Sequence, residues 1–387
     1  MQNPFPLSAL IAGLIVVIVG YSSSAVIIFQ AAAAAGATPA QASSWLWALS
    51  LGMGITSIGL SLQHKLPLVT AWSTPGAAVL VVGLSGYSLN EAIGAFIVTA
   101  LLIMLAGFTG QFERLTRQLN PAIASAMLAG VLLPFALQSF SAFSDHRLIV
   151  GSMLLTYMVL RFWIPRFTVL AVLVVGLVVT FSLGEVQTEH LAWSLGKPVW
   201  QSPAFSLSAI ISLSLPLFVV TMASQNLPGI ATLTAAGYPS PTSSMLKWTG
   251  TTTLLLAPFG AFALNLAAIT AAICMTSDAH PDPKKRYLAA ISAGVFYILL
   301  GLMAATVVAF FASVPTAYMI TLAALALLPT IANSLLTALK DEQQREAALI
   351  TLLVTTTNVT LFGIGGAFWG LVLGYLVLAI KKYWQPA

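Results

Sequence analysis

The stretch "KLPLVTAWSTPGAAVLVVGL" (Lys65–Leu84) decides how this chain is read. It is apolar enough to lie in a membrane, yet Thr70, Ser73, Thr74, Pro75 and Gly76 occupy its middle. Ser or Thr followed by Pro is how a helix begins, with an N-cap and then Pro at the first helical position. Val69-Thr70-Ala71-Trp72 before it suits extended backbone, and the residue before a proline is pushed out of the α region. The stretch therefore predicts a half-span of strand followed by a half-helix starting near the bilayer midplane. The competing reading is an ordinary membrane helix kinked at Pro75, because Pro and Gly are common in such helices.

The composition supplies the bilayer. Of 387 residues, 59% are hydrophobic and only 6% charged, with mean hydropathy +0.96. Soluble domains carry about 25% charged residues, so a soluble fold is excluded. The start "MQNPFPLSALIAGLIVVIVG" has neither a basic leader nor a small-residue cleavage site, and reads as a first span. A lone Cys274 excludes an intrachain disulfide. The pI of 9.4 reflects cytoplasmic Lys and Arg rather than a nucleic-acid partner.

Breaks at charges, Pro and Gly divide the chain into fourteen candidate spans. They run roughly 8–31, 42–62, 66–83, 91–110, 121–141, 147–161, 166–183, 206–225, 243–257, 258–276, 287–311, 315–337, 346–362 and 365–380. The breaks near 257 and 363 are the least sharp. With the N-terminus inside, thirteen of the fifteen Lys and Arg fall on the cytoplasmic side, and only Arg147 and Lys197 outside. Both termini are then cytoplasmic. The longest polar stretch, 184–205, sits near the chain midpoint and joins two seven-span halves. Seven is odd, so the halves are inverted. "AAGATPAQASSWL" (34–46) resembles "AAGYPSPTSSML" (235–246), and a Pro-interrupted segment follows each after one further span. Such paired interruptions point to a transporter site. The expected fold is an all-α polytopic membrane protein with fourteen spans in two inverted repeats, short strands breaking spans 3 and 10.

In the second half, Phe259–Ala263 is the expected matching strand, with Asn265 near the next helix start. Two helix starts would then converge, each with about half a positive charge and free N–H groups. They would hold a carboxylate without a buried Lys or Arg. Ser23, Ser24 and Gln30 on the first span, Trp72, Ser73 and Thr74 on the third, Gln225 and Asn226 on the eighth, and Phe262 and Asn265 on the tenth are the candidate substrate contacts. Phe29 and Phe259 could join Trp72 and Phe262 in a slot for an aromatic ring. Hydroxyls and amides also serve as helix–helix glue, and that alternative stands for the serines. Glu91 reads as a first-turn cap or, in the sharper reading, as a proton carrier. Asp278, His280 and Asp282 beside "KKR" read as a solvated turn rather than a metal site. No P-loop, HExxH or GxSxG motif is present. Neither an enzyme nor a cofactor is expected.

"GYSSSAVIIFQAA", "WSTPGAAVL", "GYSLNEAIGAFIVTALLIMLAG" and "APFGAFALNLAAITAAICMTSDAHPDPKKR" resemble the benzoate:proton symporter (BenE-type) family over nearly the whole chain. Its fold is similar to that of uracil, nucleobase–ascorbate and sulfate-type transporters. The resemblance implies a core domain (1–120 and 206–312) holding substrate and a gate domain (121–205 and 313–387) that often mediates homodimers. Uracil-type members place glutamates on spans 8 and 10. Here Gln225 and Leu264-Asn265 stand there instead, which suits an anionic substrate and removes the obvious proton carrier. The expectation is inner-membrane import of benzoate or a related aromatic carboxylate with protons, by alternating access. The alternatives are a same-fold transporter of a nucleobase or inorganic anion, and a passive anion channel.

Overall fold

The computed structural model describes residues 6–110, 120–165, 167–187, 193–267, 270–357, 359, 361 and 366–384. Arg114, Arg117 and Arg166, three of the cations expected on the cytoplasmic side, lie outside that set. Helices α1 (Leu7–Ala34) and α2 (Pro39–His64) come first, then strand β1 (Thr70–Trp72) and helices α3 (Thr74–Gly83) and α4 (Leu89–Thr109). Next are α5 (Pro121–Ala142), α6 (Arg147–Trp163) and α7 (Thr168–Ser182). The second half contains α8 (Leu207–Thr234), α9 (Thr242–Leu256), strand β2 (Leu264–Leu266), α10 (Ala271–Cys274), α11 (Tyr287–Leu302) and α12 (Ala304–Ala312). Helices α13 (Thr316–Leu339), α14 (Arg345–Thr356) and α15 (Gly366–Trp384) complete it.

Among the described residues, seven helices are long and apolar enough to cross a membrane, or eight if α1, bent by 42° at Ser22–Ser24, is included. That is fewer than fourteen because several expected spans are short. α3 has ten residues, α14 twelve and α7 fifteen, against the roughly 20 that a straight crossing needs.

Two boundaries differ from the sequence reading. That reading ends the eighth span at 225, before Leu227-Pro228, but α8 continues to Thr234. It does so by widening into π turns at Ile210–Ser214 and Met222–Asn226, shortly before Pro216 and Pro228. A proline has no N–H for the carbonyl four residues back, and the wider turn absorbs the mismatch. The second strand is Leu264–Leu266, not Phe259–Ala263. Residues Ala257–Phe259 wind into a short 3₁₀ turn that ends at Gly260 in the left-handed region (φ 98°), so the strand starts later.

Two sets of helices pack together. α11 lies against α2 and α1, α9 against α4 and α2, and α1 against α3. Separately, α5 packs against α13 and α14, α14 against α15, and α6 against α7. The α2–α11 crossing is tight because it is made of glycine. A Cβ on Gly54 would sit 2.7 Å from the Gly294 carbonyl oxygen, and one on Gly294 would sit 2.9 Å from that of Gly54. Backbones that approach this closely gain dispersion contacts, the main attraction between helices in lipid.

A Cβ at Gly260 would lie 1.8 Å from Trp45 Cδ1. Gly260→Ala is expected to lower the thermal unfolding midpoint of the detergent-solubilised protein. The left-handed backbone alone costs about 1–2 kcal/mol for an L residue, and the clash adds to it. A midpoint equal to wild type would refute this packing.

Candidate functional site

The two strands pair antiparallel, with Thr70 opposite Leu266, Ala71 opposite Asn265 and Trp72 opposite Leu264. The ladder extends at both ends, where Ser73 N–H donates to the Ala263 carbonyl and Ala267 N–H to that of Val69, both at 3.0 Å. A pair this short leaves both outer edges bare, and surrounding helices cover them. Thr70 N–H donates to Ser57 Oγ (3.0 Å) and Trp72 N–H to Met53 Sδ (3.1 Å), both on α2. On the other edge, Leu264 N–H donates to Thr253 Oγ1 of α9 (3.2 Å) and Leu266 N–H to Asn226 Oδ1 of α8 (3.0 Å).

The helix start at the end of β1 is built as its residues require. Ser73, fully buried, accepts through Oγ from Gly76 N–H (3.1 Å) and from the Thr221 hydroxyl (3.0 Å). Ala77 N–H reaches the Ser73 carbonyl at 2.7 Å. Pro75 has no N–H to satisfy. What is left at the mouth of α3 is the Thr74 N–H, the Thr74 hydroxyl and the positive end of the helix dipole. Trp72 ties β1 to α1, its Nε1–H donating to Ser24 Oγ (2.8 Å) while Ser24 donates to the Gly20 carbonyl (2.8 Å). The Tyr21 ring meets Trp72 edge-on at 5.0 Å, and its hydroxyl pairs with Ser50.

Ser24, Trp72, Ser73, Asn226 and Asn265 are thus brought together, but mainly as parts of the scaffold. Asn265 lies inside β2 rather than at a helix start. With its amide turned to satisfy both neighbours, it donates to the Leu266 carbonyl (2.8 Å) and accepts from Ser73 N–H (2.9 Å). It clips the strand to the helix start. Gln225 is half-buried, and no described residue holds its amide. It lies four residues after Thr221, within the π turn Met222–Asn226 that packs against β2 and α5. Of the candidates around the strand pair, Thr74 and Gln225 have no side-chain partner among the described residues.

Other candidates go elsewhere. Phe262 packs with Phe96 (5.7 Å) and Trp45 (6.4 Å), Phe29 with Phe311 (4.9 Å), and Phe259 with Trp200 (5.7 Å) and Trp47 (6.0 Å). The four rings expected to form one slot sit in separate clusters, because each belongs to a different helix seam. Gln30 lies well along α1 from Ser24. The backbone of α1 runs through Ser23, whose side chain is outside the described residues. Glu91 completes a capping box, its carboxylate accepting from Ser88 N–H (2.9 Å) and Ser88 Oγ (2.8 Å). The second helix start is weaker than expected, since α10 has only four residues among those described. Among the described residues no cluster of His, Cys, Asp and Glu could hold a metal ion. The sequence reading misses the Thr56–Ser57–Thr70 cluster. Ser50, Ser57 and Ser61 recur along α2 at near-helical spacing, and that polar stripe is its signal.

Residues 3–380 match the family model described as benzoate membrane transport protein. The chain belongs to that family. It is 48% identical over 376 residues to Inner membrane protein YdcO of Escherichia coli (strain K12), covering 96% of each chain. It is 40% identical over 380 residues to the Benzoate membrane transport protein of Acinetobacter baylyi (strain ATCC 33305 / BD413 / ADP1), covering 98% of this chain and 96% of that one. In fold it resembles the transmembrane domain of the cyanobacterial bicarbonate transporter BicA, with TM-score 0.62 at 12% identity, covering 95% of this chain and 97% of that one. The family is one of membrane transport proteins, not of enzymes, and the several apolar helices agree with a multi-pass chain.

Removing the scaffold amides should cost stability. Asn226→Leu strips the acceptor from a buried N–H, and Asn265→Leu frees the strand from the helix start. Each is expected to destabilise by about 1–3 kcal/mol, whereas Gln225→Ala leaves the thermal midpoint unchanged. Equal midpoints for all three would contradict the division between scaffold and ligand-facing groups.

Proposed function

We propose that this chain imports benzoate or a related aromatic carboxylate together with protons, by alternating access. The observation that carries the reading is the free mouth of α3. Thr74 presents an N–H and a hydroxyl at the positive end of the helix, and Gln225, with no side-chain partner among the described residues, lies one turn beyond Thr221, whose hydroxyl reaches the Ser73 cap. No Lys, Arg, Asp or Glu is buried among the described residues. A carboxylate placed there accepts hydrogen bonds from neutral donors, and the dipole adds about 0.3–2 kcal/mol. A buried acid would repel it and a buried base would hold it too tightly to release. The name of the Acinetobacter relative supports benzoate as the solute.

The same proposal has fourteen spans in two inverted sevens, with β1 and β2 breaking the third and tenth. N- and C-termini are cytoplasmic, in a bacterial inner membrane. Residues 1–120 and 206–312 form a substrate-holding core, and 121–205 and 313–387 form a gate through which copies dimerise. The two packing sets of helices agree with that division. Crossings of ten to seventeen residues complete the count where strand or connecting backbone adds to helix. In the second half, the four-residue α10 gives the mouth of α3 no equal partner, so the carboxylate is held chiefly from the α3 side.

Radiolabelled benzoate uptake into proteoliposomes with an imposed pH gradient tests the function. Uptake should be saturable, driven by the gradient, and abolished by a protonophore. Gln225→Ala should weaken benzoate affinity about tenfold, the loss of one charge-assisted hydrogen bond. Thr74→Arg should block transport while the protein still inserts. Unsaturable flux with no counter-substrate exchange would instead indicate a channel. Glu91→Gln keeps the capping box, so coupling lost in that variant would assign Glu91 a protonic role, and coupling retained would leave it a cap.

A further inference from the structure

Residues 193–205 of the connector between the two halves carry neither helix nor strand, yet they are fastened in place. The Gly196 N–H donates to the Leu302 carbonyl and the Ala204 N–H to that of Asn90, both at 2.8 Å. Between these ties the connector meets α2 and the turn Ala257–Phe259 that leads into β2. The Gln201 N–H donates to the Pro258 carbonyl (2.8 Å). The Gln201 side chain is buried, 3% exposed. Its Oε1 accepts from Trp45 Nε1–H (2.9 Å), and its Nε2 donates to the Val199 carbonyl (3.3 Å). Ser44, fully buried, accepts from the Val199 N–H (2.9 Å) and donates to the Phe259 carbonyl (2.9 Å). The Trp45 indole fills the space where a Cβ on Gly260 would stand. Ser44 and Trp45 of α2, together with Gln201 of the connector, thus grip the three residues from which β2 departs.

A ladder of three facing pairs does little to fix its own register. Thr253 Oγ1 and Asn226 Oδ1, which meet the outer edge of β2, take backbone N–H groups, and every residue except proline has one. They would hold β2 equally well after a slip of two residues, which returns each side chain to its own face. The helix start would not survive that slip. Ala263 or Ala267 would replace Asn265 opposite Ala71, and alanine has no side-chain acceptor for the N–H of Ser73, the cap of α3. We propose that Gln201 and Ser44 are positioning residues for the solute site. They fix the turn before β2, and the turn fixes which residue of β2 lies opposite Ala71. That pairing in turn holds Ser73 and the mouth of α3. The inference rests on the reading of that mouth as the place where a carboxylate binds. It gives the buried amide of the connector a task that joining two halves does not require.

Disulfide trapping reads the register without any solute. In a Cys274→Ala background, Val69→Cys with Ala267→Cys reports the native register, in which the Ala267 N–H donates to the Val69 carbonyl. Ala71→Cys with Ala267→Cys, and Ala71→Cys with Ala263→Cys, report slips in the two directions. In the native register these are diagonal neighbours about 7–8 Å apart, beyond the usual span of a disulfide. With copper phenanthroline as oxidant, Gln201→Met and Ser44→Ala should each lower the native crosslink and raise a slipped one at least tenfold. Ser44→Thr keeps the hydroxyl and should retain the native pattern. In purified protein without added cysteines, Gln201→Met and Ser44→Ala should each weaken benzoate binding about tenfold. An unchanged crosslink pattern in both variants would overturn the proposal, and so would a shifted pattern with unchanged benzoate affinity. If Gln201→Met fails to fold, Ser44→Ala and Ser44→Thr carry the test. Shifted crosslinks with no benzoate binding even in wild type would support the register pin and count against the transport reading.

Discussion

Everything at the centre of this protein depends on satisfying the edges of a two-stranded ladder in a place where water is excluded. Bare backbone inside a bilayer costs several kcal/mol per group. Here the outward N–H groups of Thr70, Trp72, Leu264 and Leu266 are met by Ser57, Met53, Thr253 and Asn226. Side chains of α2, α8 and α9 thus do for the strands what further strands would do in a larger sheet. Ser57 and Thr253 on these helices are committed to that task.

That division of labour decides which polar residues are left for a ligand. Ser73 looks like a binding residue by position, but its oxygen already serves the cap and Thr221. Asn265 has the chemistry of a carboxylate ligand, but it locks β2 to the Ser73 N–H. Beside the strand pair, Thr74 and Gln225 remain because neither has a side-chain partner among the described residues. The two helix starts are unequal among the described residues, since α3 has ten and α10 four.

The first strand and its helix start are legible in the sequence because each step is local. Ser, Thr and Pro in that order leave the backbone few options, and Ser73 is the N-cap at the expected position. The second strand is not, because its start depends on Gly260, and a glycine in sequence does not announce which sign its φ will take. The continuation of α8 through Pro228 is hidden for a similar reason. A proline ends a helix only if the preceding turn cannot widen, and here it does. The aromatic residues escape as a group because ring contacts are set by helix packing, which composition does not encode. Asn226 and Asn265 are recognisable as buried amides, but their partners lie 40 residues away or across the ladder.

The ladder also acts as a rivet. Because α2, α8 and α9 are all fastened to β1 and β2 by side-chain hydrogen bonds, none of them can slide past another without exposing strand backbone to hydrocarbon. These elements must travel as one piece. Under the proposed alternating access, the displacement falls on the seams outside the riveted block, where α1 packs against α13 and α3 against α5 and a shift of register breaks no hydrogen bond between the two strands.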